Sequence, residues 1–154
     1  MSNAEAFQII SFSRSHSSQA YQLFCQMRDT PWSQESFLSS VETGVCFIAK
    51  DDEMVVGLII CSYCFEQADL LDVCVSPEYR RRGIAAALIE TAFAELIQKG
   101  VQSLLLEVAD NNLGAKTLYS TLGFAHIDTR KNYYTKANGE ADDALIMQKI
   151  LGSN

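Results

Sequence analysis

The stretch of residues 73–86 constrains this chain most, because it reads as a strand that turns at a proline and runs directly into a helix. Three arginines and a glycine stand at the turn, namely Arg80, Arg81, Arg82 and Gly83. The first turn of a helix has unpaired N–H groups and the positive end of the helix dipole, and glycine lets a bulky anion come close. The pattern therefore indicates a phosphate site, with a solvated basic surface as its plainer alternative.

The size and charge of the chain narrow its class. Its 154 residues, 48% of them hydrophobic and 20% charged, predict a single globular domain over residues 1–154. A net charge of −7 disfavours nucleic acid and anionic membranes as partners. Because the cysteines number five and no secretory signal is visible, we expect a reduced, cytoplasmic location.

Hydrophobic periodicity predicts the element order β-α-α-β-β-β-α-β-α-β-β, which describes one mixed α/β sheet with helices on both sides. The first helix should end near Asp29, because Pro31 follows. The apolar run at residues 103–108 predicts a strand that is buried on both faces. Residues 135–143 should form the loop between the last two strands.

The motif Arg-x-x-Gly-x-Ala at residues 80–85, after a strand ending in Val-Ser-Pro, resembles the pyrophosphate loop of the GNAT N-acetyltransferases. The chain has neither the Gly-Lys-Ser/Thr of a P-loop nor the Gly-x-Gly-x-x-Gly of a Rossmann loop. The resemblance implies a GNAT fold, with a mixed sheet of six or seven strands splayed in a V. In that fold the strands ending at Val75 and Val108 would part to hold acetyl-CoA.

Acetyl transfer to an amine needs a base, and Glu107 is a candidate. It is the one charged side chain in the apolar run at residues 103–108 and lies near its C-terminal end. Alternation places Glu107 with Leu105 on one face of the strand. A carboxylate there could take the proton that an amine must lose before it attacks. A glutamate that simply emerges at a strand end fits the spacing equally well.

The reaction also benefits from an acid, and Tyr119 is a candidate. It follows Asn112 by two helical turns, so the two side chains share a face. A phenol could protonate the departing thiolate. A core tyrosine is the competing interpretation of Tyr119, and an N-cap is the simplest interpretation of Asn112.

Further segments narrow the resemblance to the bacterial ribosomal-protein-alanine N-acetyltransferases, over nearly the full length of the chain. The segments are Pro-Trp-Ser at 31–33, Leu-Glu-Val-Ala at 106–109, Leu-Tyr at 118–119, Leu-Gly-Phe at 122–124, Arg-Lys-Asn-Tyr-Tyr at 130–134 and Asp-Ala-Leu-Ile-Met at 143–147. The family commonly has asparagine where Asp72 stands, proline where Thr135 stands, and Glu-Asp where Asp142 and Asp143 stand. These departures concern the peptide more than the cofactor.

The resemblance implies roles for individual residues. Glu107 would accept a proton and Tyr119 would donate one. The acetyl-CoA contacts would be Val73, Cys74, Val75, Arg81, Arg82, Gly83, Ile84, Ala85, Ala86 and Asn112. The acceptor contacts would be Trp32, Asp72, Arg130, Tyr133 and Tyr134.

The cysteine and histidine residues give little indication of a metal or redox site. Cys61 and Cys64 form a C-x-x-C pair, but residues three apart on a strand point to opposite faces. His16 and His126 fall in no catalytic pattern, and we interpret both as structural. We therefore expect no metal site.

The resemblance predicts an enzyme that acetylates the N-terminal alanine of small-subunit ribosomal protein eighteen, using acetyl-CoA. The partner would be the basic N-terminal segment of that protein, which suits the acidic charge of this chain. The alternatives are a GNAT enzyme for another protein N-terminus or a small amine, and a catalytically silent acyl-CoA-binding domain. The sequence leaves the oligomeric state open.

Overall fold

One mixed sheet organises the protein. The computed structural model describes residues 7–135 and 139–152. Their seven strands lie in the spatial order β1-β2-β3-β4-β5-β7-β6. The strands are β1 (Gln8–Ser11), β2 (Val45–Asp51), β3 (Met54–Cys64), β4 (Gln67–Val75), β5 (Ser103–Ala109), β6 (Ala125–Thr135) and β7 (Ala141–Ile150). The predicted element order and the mixed, splayed sheet are confirmed.

Four helices cover the two faces of the sheet. They are α1 (Ser17–Gln26), α2 (Gln34–Thr43), α3 (Ile84–Gln98) and α4 (Leu113–Thr121). Buried residues of α1 and α2 form one core with one face of the sheet, while those of α3 and α4 form a second core on the other face. The sheet is thus covered by α1 and α2 on one side and by α3 and α4 on the other.

Local capping sets the helix boundaries. The Ser33 hydroxyl accepts a hydrogen bond from the Ser36 N–H at 3.2 Å, which starts α2. Gly100, at φ +85°, follows the end of α3, where glycine commonly adopts this left-handed conformation. The first helix, however, ends at Gln26 rather than near Asp29. The residues between Gln26 and Pro31 therefore lie outside the helix, and their side chains do not follow its periodicity.

The sheet parts between β4 and β5. These strands pair in parallel only from Gln67–Ser103 to Asp69–Leu105. Beyond that point β4 continues beside β3 alone, and β5 continues beside β7 alone. The two strands therefore form the arms of a V, with unpaired edges facing the gap between them.

A β-bulge in β4 lies just beyond the point of parting. Ile60 of β3 pairs with Asp72 and Cys61 pairs with Leu70, so Leu71 is the extra residue. Leu70 packs in the α3 core, whereas Leu71 and Cys74 pack in the α1–α2 core. The bulge shifts the alternation of the strand by one residue, and it turns Asp72 toward the α1–α2 face.

Two expectations about the strands were wrong. β5 is not buried on both faces, because the face that carries Leu105 and Glu107 borders a cavity. Leu104, Leu106 and Val108 are buried, but Glu107 on the opposite face is exposed. The loop expected at 135–143 is shorter, since β6 reaches Thr135 and β7 starts at Ala141, while residues 136–138 lie outside the described residues.

Cys61 and Cys64 do lie on opposite faces, Cys61 buried and Cys64 exposed. Across the described ranges, no cluster of three or more His, Cys, Asp or Glu side chains could hold a metal ion. None of the helices in the described part of the chain has the length and apolar character needed to cross a membrane.

Replacing Gly44 should destabilise the fold. A Cβ at this position would overlap the backbone carbonyl oxygen of Cys61, at the point where the chain leaves α2 and enters β2. We expect Gly44→Ala to lower the free energy of unfolding by roughly 1–3 kcal/mol, because the backbone must shift to relieve the overlap. Denaturant unfolding measures the change.

Gly114→Ala is the matched control, because nothing lies within 4 Å of a Cβ there and the residue is helical. It should leave the stability unchanged or raise it slightly. Equal stability of the Gly44 and Gly114 variants would contradict the expected overlap.

Candidate active site

A cleft of about 680 Å³ opens between the two arms of the V, and we call it the interstrand cleft. Its walls are the end of β4, the loop that leads into α3, and the first turns of α4. Its lining comprises Met27, Asp72, Val73, Cys74, Val75, Tyr79, Arg80, Arg81, Gly83, Ile84, Ala85, Ala86, Asn112, Gly114, Ala115, Leu118 and Tyr119. The parting of the sheet therefore creates space for an elongated ligand.

One end of the interstrand cleft is suited to an anion. Arg81 and Gly83 both have positive φ, +65° and +78°, and the N–H groups of the first turn of α3 follow directly. No atom lies within 4 Å of the position that a Gly83 Cβ would occupy. Backbone donors, a helix N-terminus and the guanidinium groups of Arg80 and Arg81 converge there, as a phosphate group requires.

Arg82 does not join this lining, although the sequence places it beside Arg81. Its guanidinium lies over the Tyr79 ring, 4.7 Å from the centroid. The Tyr79 hydroxyl in turn donates to Asp51 Oδ2 at 2.6 Å. Arg80 lines the cleft instead. The sequence could not separate the three neighbouring arginines, because their directions depend on the backbone of the turn.

The α4 side of the interstrand cleft carries Asn112 and Tyr119. The Asn112 side chain accepts a hydrogen bond from the Ala115 N–H at 3.2 Å, so it is the N-cap of α4. Tyr119 is 9% exposed and packs edge-on against Phe124. Burial, with a smaller effect of the negative charge on Asp72, raises the pKa of Tyr119 to about 12. At neutral pH its hydroxyl is therefore a donor.

A second cavity of about 370 Å³ lies on the α1–α2 face of the sheet, and we call it the Glu107 cavity. Glu107 Oε1 accepts a hydrogen bond from the Tyr134 hydroxyl at 3.2 Å, and Glu107 Oε2 is 3.4 Å from Arg130 Nη1. Burial and the charge of Glu107 raise the pKa of Tyr134 to about 12, so this hydroxyl also remains a donor. The carboxylate is thus fixed by two groups from β6.

The two cavities are adjacent in space, and residues adjacent in the sequence line them. The interstrand cleft is lined by Met27 and Asp72, and the Glu107 cavity by the adjacent residues Arg28 and Leu71. Arg28 Nη1 donates to Asp72 Oδ1 at 3.0 Å, which joins the two linings. Sequence reasoning missed Arg28, because it lies in a segment without a motif and acquires its place only when α1 packs on the sheet.

Two predicted acceptor residues lie outside both linings. Trp32 packs on Phe24 and beneath the guanidinium of Arg28, and its carbonyl accepts from the Tyr21 hydroxyl at 2.8 Å. Tyr133 is 50% exposed and meets Tyr134 edge-on. Both therefore support side chains that line the Glu107 cavity. The other predicted acceptor residues, Asp72, Arg130 and Tyr134, line one cavity or the other.

The family follows from comparison with known proteins. The chain belongs to the acetyltransferase (GNAT) family, whose model matches residues 8–124. It is 34% identical over 129 residues to the ribosomal protein bS18-alanine N-acetyltransferase of Escherichia coli K12, covering 83% of this chain and 86% of that protein. The enzyme of the same name from Haemophilus influenzae is 35% identical over 101 residues, covering 66% and 68%.

Solved structures agree in fold. The crystal structure of the ribosomal-protein-S18-alanine N-acetyltransferase from Escherichia coli superimposes with a TM-score of 0.87 at 31% identity, covering 96% of each chain. A Salmonella typhimurium acetyltransferase, yncA, solved with its cofactor acetyl-CoA, gives a TM-score of 0.85 over 97% of this chain and 96% of that one. Its identity is 15%, so that likeness concerns the fold alone.

Replacing Gly83 should weaken binding of acetyl-CoA. We expect Gly83→Val to raise the dissociation constant roughly tenfold or more, because the side chain would stand in the space that a pyrophosphate needs and would strain a residue at φ +78°. Isothermal titration with acetyl-CoA measures the constant.

Gly100→Val separates the two effects. Gly100 lies at the other end of α3, with φ +85° and equally open surroundings, so it imposes the same kind of strain away from the cleft. Its dissociation constant should equal that of the wild type. An unchanged constant in a folded Gly83→Val protein would refute the assignment of this loop.

Proposed function

We propose that this GNAT enzyme transfers the acetyl group of acetyl-CoA to the α-amino group at a protein N-terminus, with the N-terminal alanine of ribosomal protein bS18 as its acceptor. One observation carries the proposal: an anion-binding cleft and a carboxylate-bearing cavity flank the point where β4 and β5 part. Acetyl-CoA would enter from one side and the amine from the other. The relatives that carry this name support the choice of acceptor.

The interstrand cleft offers contacts along the whole cofactor. The pyrophosphate would lie on the loop from Arg81 to Ala86, where backbone N–H groups meet the N-terminus of α3. The pantetheine arm would run along the unpaired edge of Val73, Cys74 and Val75, whose main-chain polar groups β5 leaves free. An N–H of this edge would polarise the thioester carbonyl and stabilise the oxyanion.

Glu107 would accept the proton of the incoming amine. An α-amino group has a pKa of about 8 and a lysine about 10.4, so at pH 7 roughly a tenth of the former is neutral, against about one in 2,500 of the latter. The α-amine therefore needs much less help from a base. Tyr134 and Arg130 hold the carboxylate in place beside the site proposed for the amine.

Tyr119 would assist departure of the CoA sulfur. Because its pKa is about 12 and that of an ordinary thiol is about 8.5, complete proton transfer from Tyr119 to the thiolate is uphill. A hydrogen bond from the hydroxyl to the developing thiolate is therefore the main contribution, with solvent completing the protonation. Burial keeps this donor in its neutral form over the working pH range.

The charge of the protein suits a basic acceptor. The net charge of the chain is −7, while in the cavity proposed for the acceptor Asp69 and Glu107 stand beside Arg28 and Arg130, so the attraction comes from the protein as a whole. Opposite charges raise the rate of encounter between an enzyme and a cationic peptide. A ribosomal protein as acceptor would place the reaction in the cytoplasm.

Two basic peptides test the acceptor. One starts with a free alanine, and the other has a blocked N-terminus and internal lysines. We expect acetyl-CoA turnover with the first alone, because roughly a tenth of its α-amine is neutral at pH 7, against about one in 2,500 of a lysine amine. Mass spectrometry locates the acetyl group. Transfer to the lysine peptide, or only to small amines, would contradict an Nα-acetyltransferase.

Two isosteric variants test the proposed chemistry. Glu107→Gln should lower kcat roughly 100-fold or more, since the base is lost, and Tyr119→Phe should lower it roughly tenfold or more. Steady-state rates with the alanine peptide measure both. Acetyl-CoA affinity should stay within about twofold.

Glu95→Gln and Tyr63→Phe are the matched controls. Glu95 pairs with Lys99 at the end of α3, and Tyr63 lies under the same lysine, away from both cavities. Their rates should equal that of the wild type. A wild-type protein that binds acetyl-CoA but shows no turnover sensitive to Glu107 or Tyr119 would indicate the silent domain instead.

A further inference from the structure

We propose that Arg28 binds the first main-chain carbonyl oxygen of the acceptor peptide, and that Asp72 is the positioning residue that aims it. This inference rests on the proposed function and names an acceptor contact that the motifs do not contain. It is carried by the ion pair between Arg28 and Asp72, which stands where the interstrand cleft and the Glu107 cavity meet.

The Arg28 side chain is held firmly. It follows α1, and its guanidinium carbon lies 5.2 Å from the Phe24 ring centroid and 5.3 Å from that of Trp32. Nη1 donates to Asp72 Oδ1 at 3.0 Å, and the side chain is 32% exposed. Two aromatic faces and one carboxylate therefore fix the plane of the group before any peptide arrives.

Most donors of Arg28 remain available to a ligand. A guanidinium has five N–H groups, and in the described residues only Nη1 has a hydrogen-bonded protein partner. The same side chain lines the Glu107 cavity, together with Glu107 and Tyr134. The N–H groups of Arg28 without a protein partner can therefore donate to an acceptor oxygen of a ligand in this cavity. In a peptide whose amine lies at Glu107, the nearest acceptor is the carbonyl of the first residue.

Asp72 is half-buried beside Arg28. Its side chain is 13% exposed, and Oδ2 has no hydrogen-bond partner in the described structure. Burial raises the pKa of Asp72, and the charge of Arg28 opposes that effect. A carboxylate with one buried, unpaired oxygen costs stability, and such a cost is common where a group serves function. The bulge at Leu71 is what turns Asp72 toward Arg28.

A contact of this kind selects a class of acceptor. In a peptide, the Cα that bears the amine is bonded directly to a carbonyl carbon. A simple amine has no such carbonyl. Arg28 would therefore favour peptides over small amines and would act on peptide affinity more than on the chemical step. The contact is independent of the first side chain, since it reads the backbone.

The test removes both charges together, because Arg28→Ala alone would leave a buried carboxylate unpaired and could prevent folding. The double variant Arg28→Ala/Asp72→Asn should raise KM for the alanine peptide roughly tenfold, with kcat and the acetyl-CoA dissociation constant within about twofold. The matched control is Arg14→Ala/Glu42→Gln, an exposed ion pair away from both cavities, which should change nothing. Thermal unfolding confirms that each variant is folded.

A modified peptide identifies the contacted atom. A thioamide at the first peptide bond replaces the carbonyl oxygen with sulfur, which is a weaker hydrogen-bond acceptor. This replacement should raise KM for the wild type several-fold but leave KM of the double variant unchanged. Equal sensitivity of both proteins to the thioamide, or an unchanged KM in the folded double variant, would overturn the inference. Absence of any transfer by the wild type would instead refute the proposed function.

Discussion

The rest of the structure depends on the short parallel pairing of β4 and β5. Three residue pairs join the strands, and beyond them each strand keeps a neighbour on its other side only. The main-chain groups along the gap are left for a ligand, because unpaired N–H and C=O groups in a cleft require partners. The loop before α3 and the N-cap of α4 border the same gap, so the parting of two strands assembles the cofactor site.

Charge is arranged differently on the two sides of the sheet. The interstrand cleft has Arg80, Arg81 and a helix N-terminus, which suit a pyrophosphate. The Glu107 cavity holds carboxylates beside guanidinium groups, which suit an amine with a carbonyl next to it. The Arg28–Asp72 pair stands between them. In the proposed reaction each side would therefore attract its own ligand, and the acetyl group would pass where the two sides meet.

Burial keeps the phenols of the two cavities in the neutral form that the proposed reaction needs. It raises the pKa of Tyr119 and of Tyr134 to about 12, so both phenols stay neutral. It also raises the pKa of the Cys74 thiol, which lines the interstrand cleft, well above its ordinary value. That thiol remains protonated and is a poor nucleophile toward a nearby thioester. The site thus contains a cysteine without a competing acylation.

The sequence by itself determined the element order, the cap at Asn112, and the position of the Arg-x-x-Gly loop, because these depend on local periodicity and on backbone geometry. It also placed Glu107 on the correct face of β5. The tertiary structure alone decided that Arg80 rather than Arg82 lines the cleft, and that Arg28 meets Asp72. The physical reason is that a bulge shifts the alternation of β4 by one residue, and only the packing of α1 on the sheet brings the two charges together.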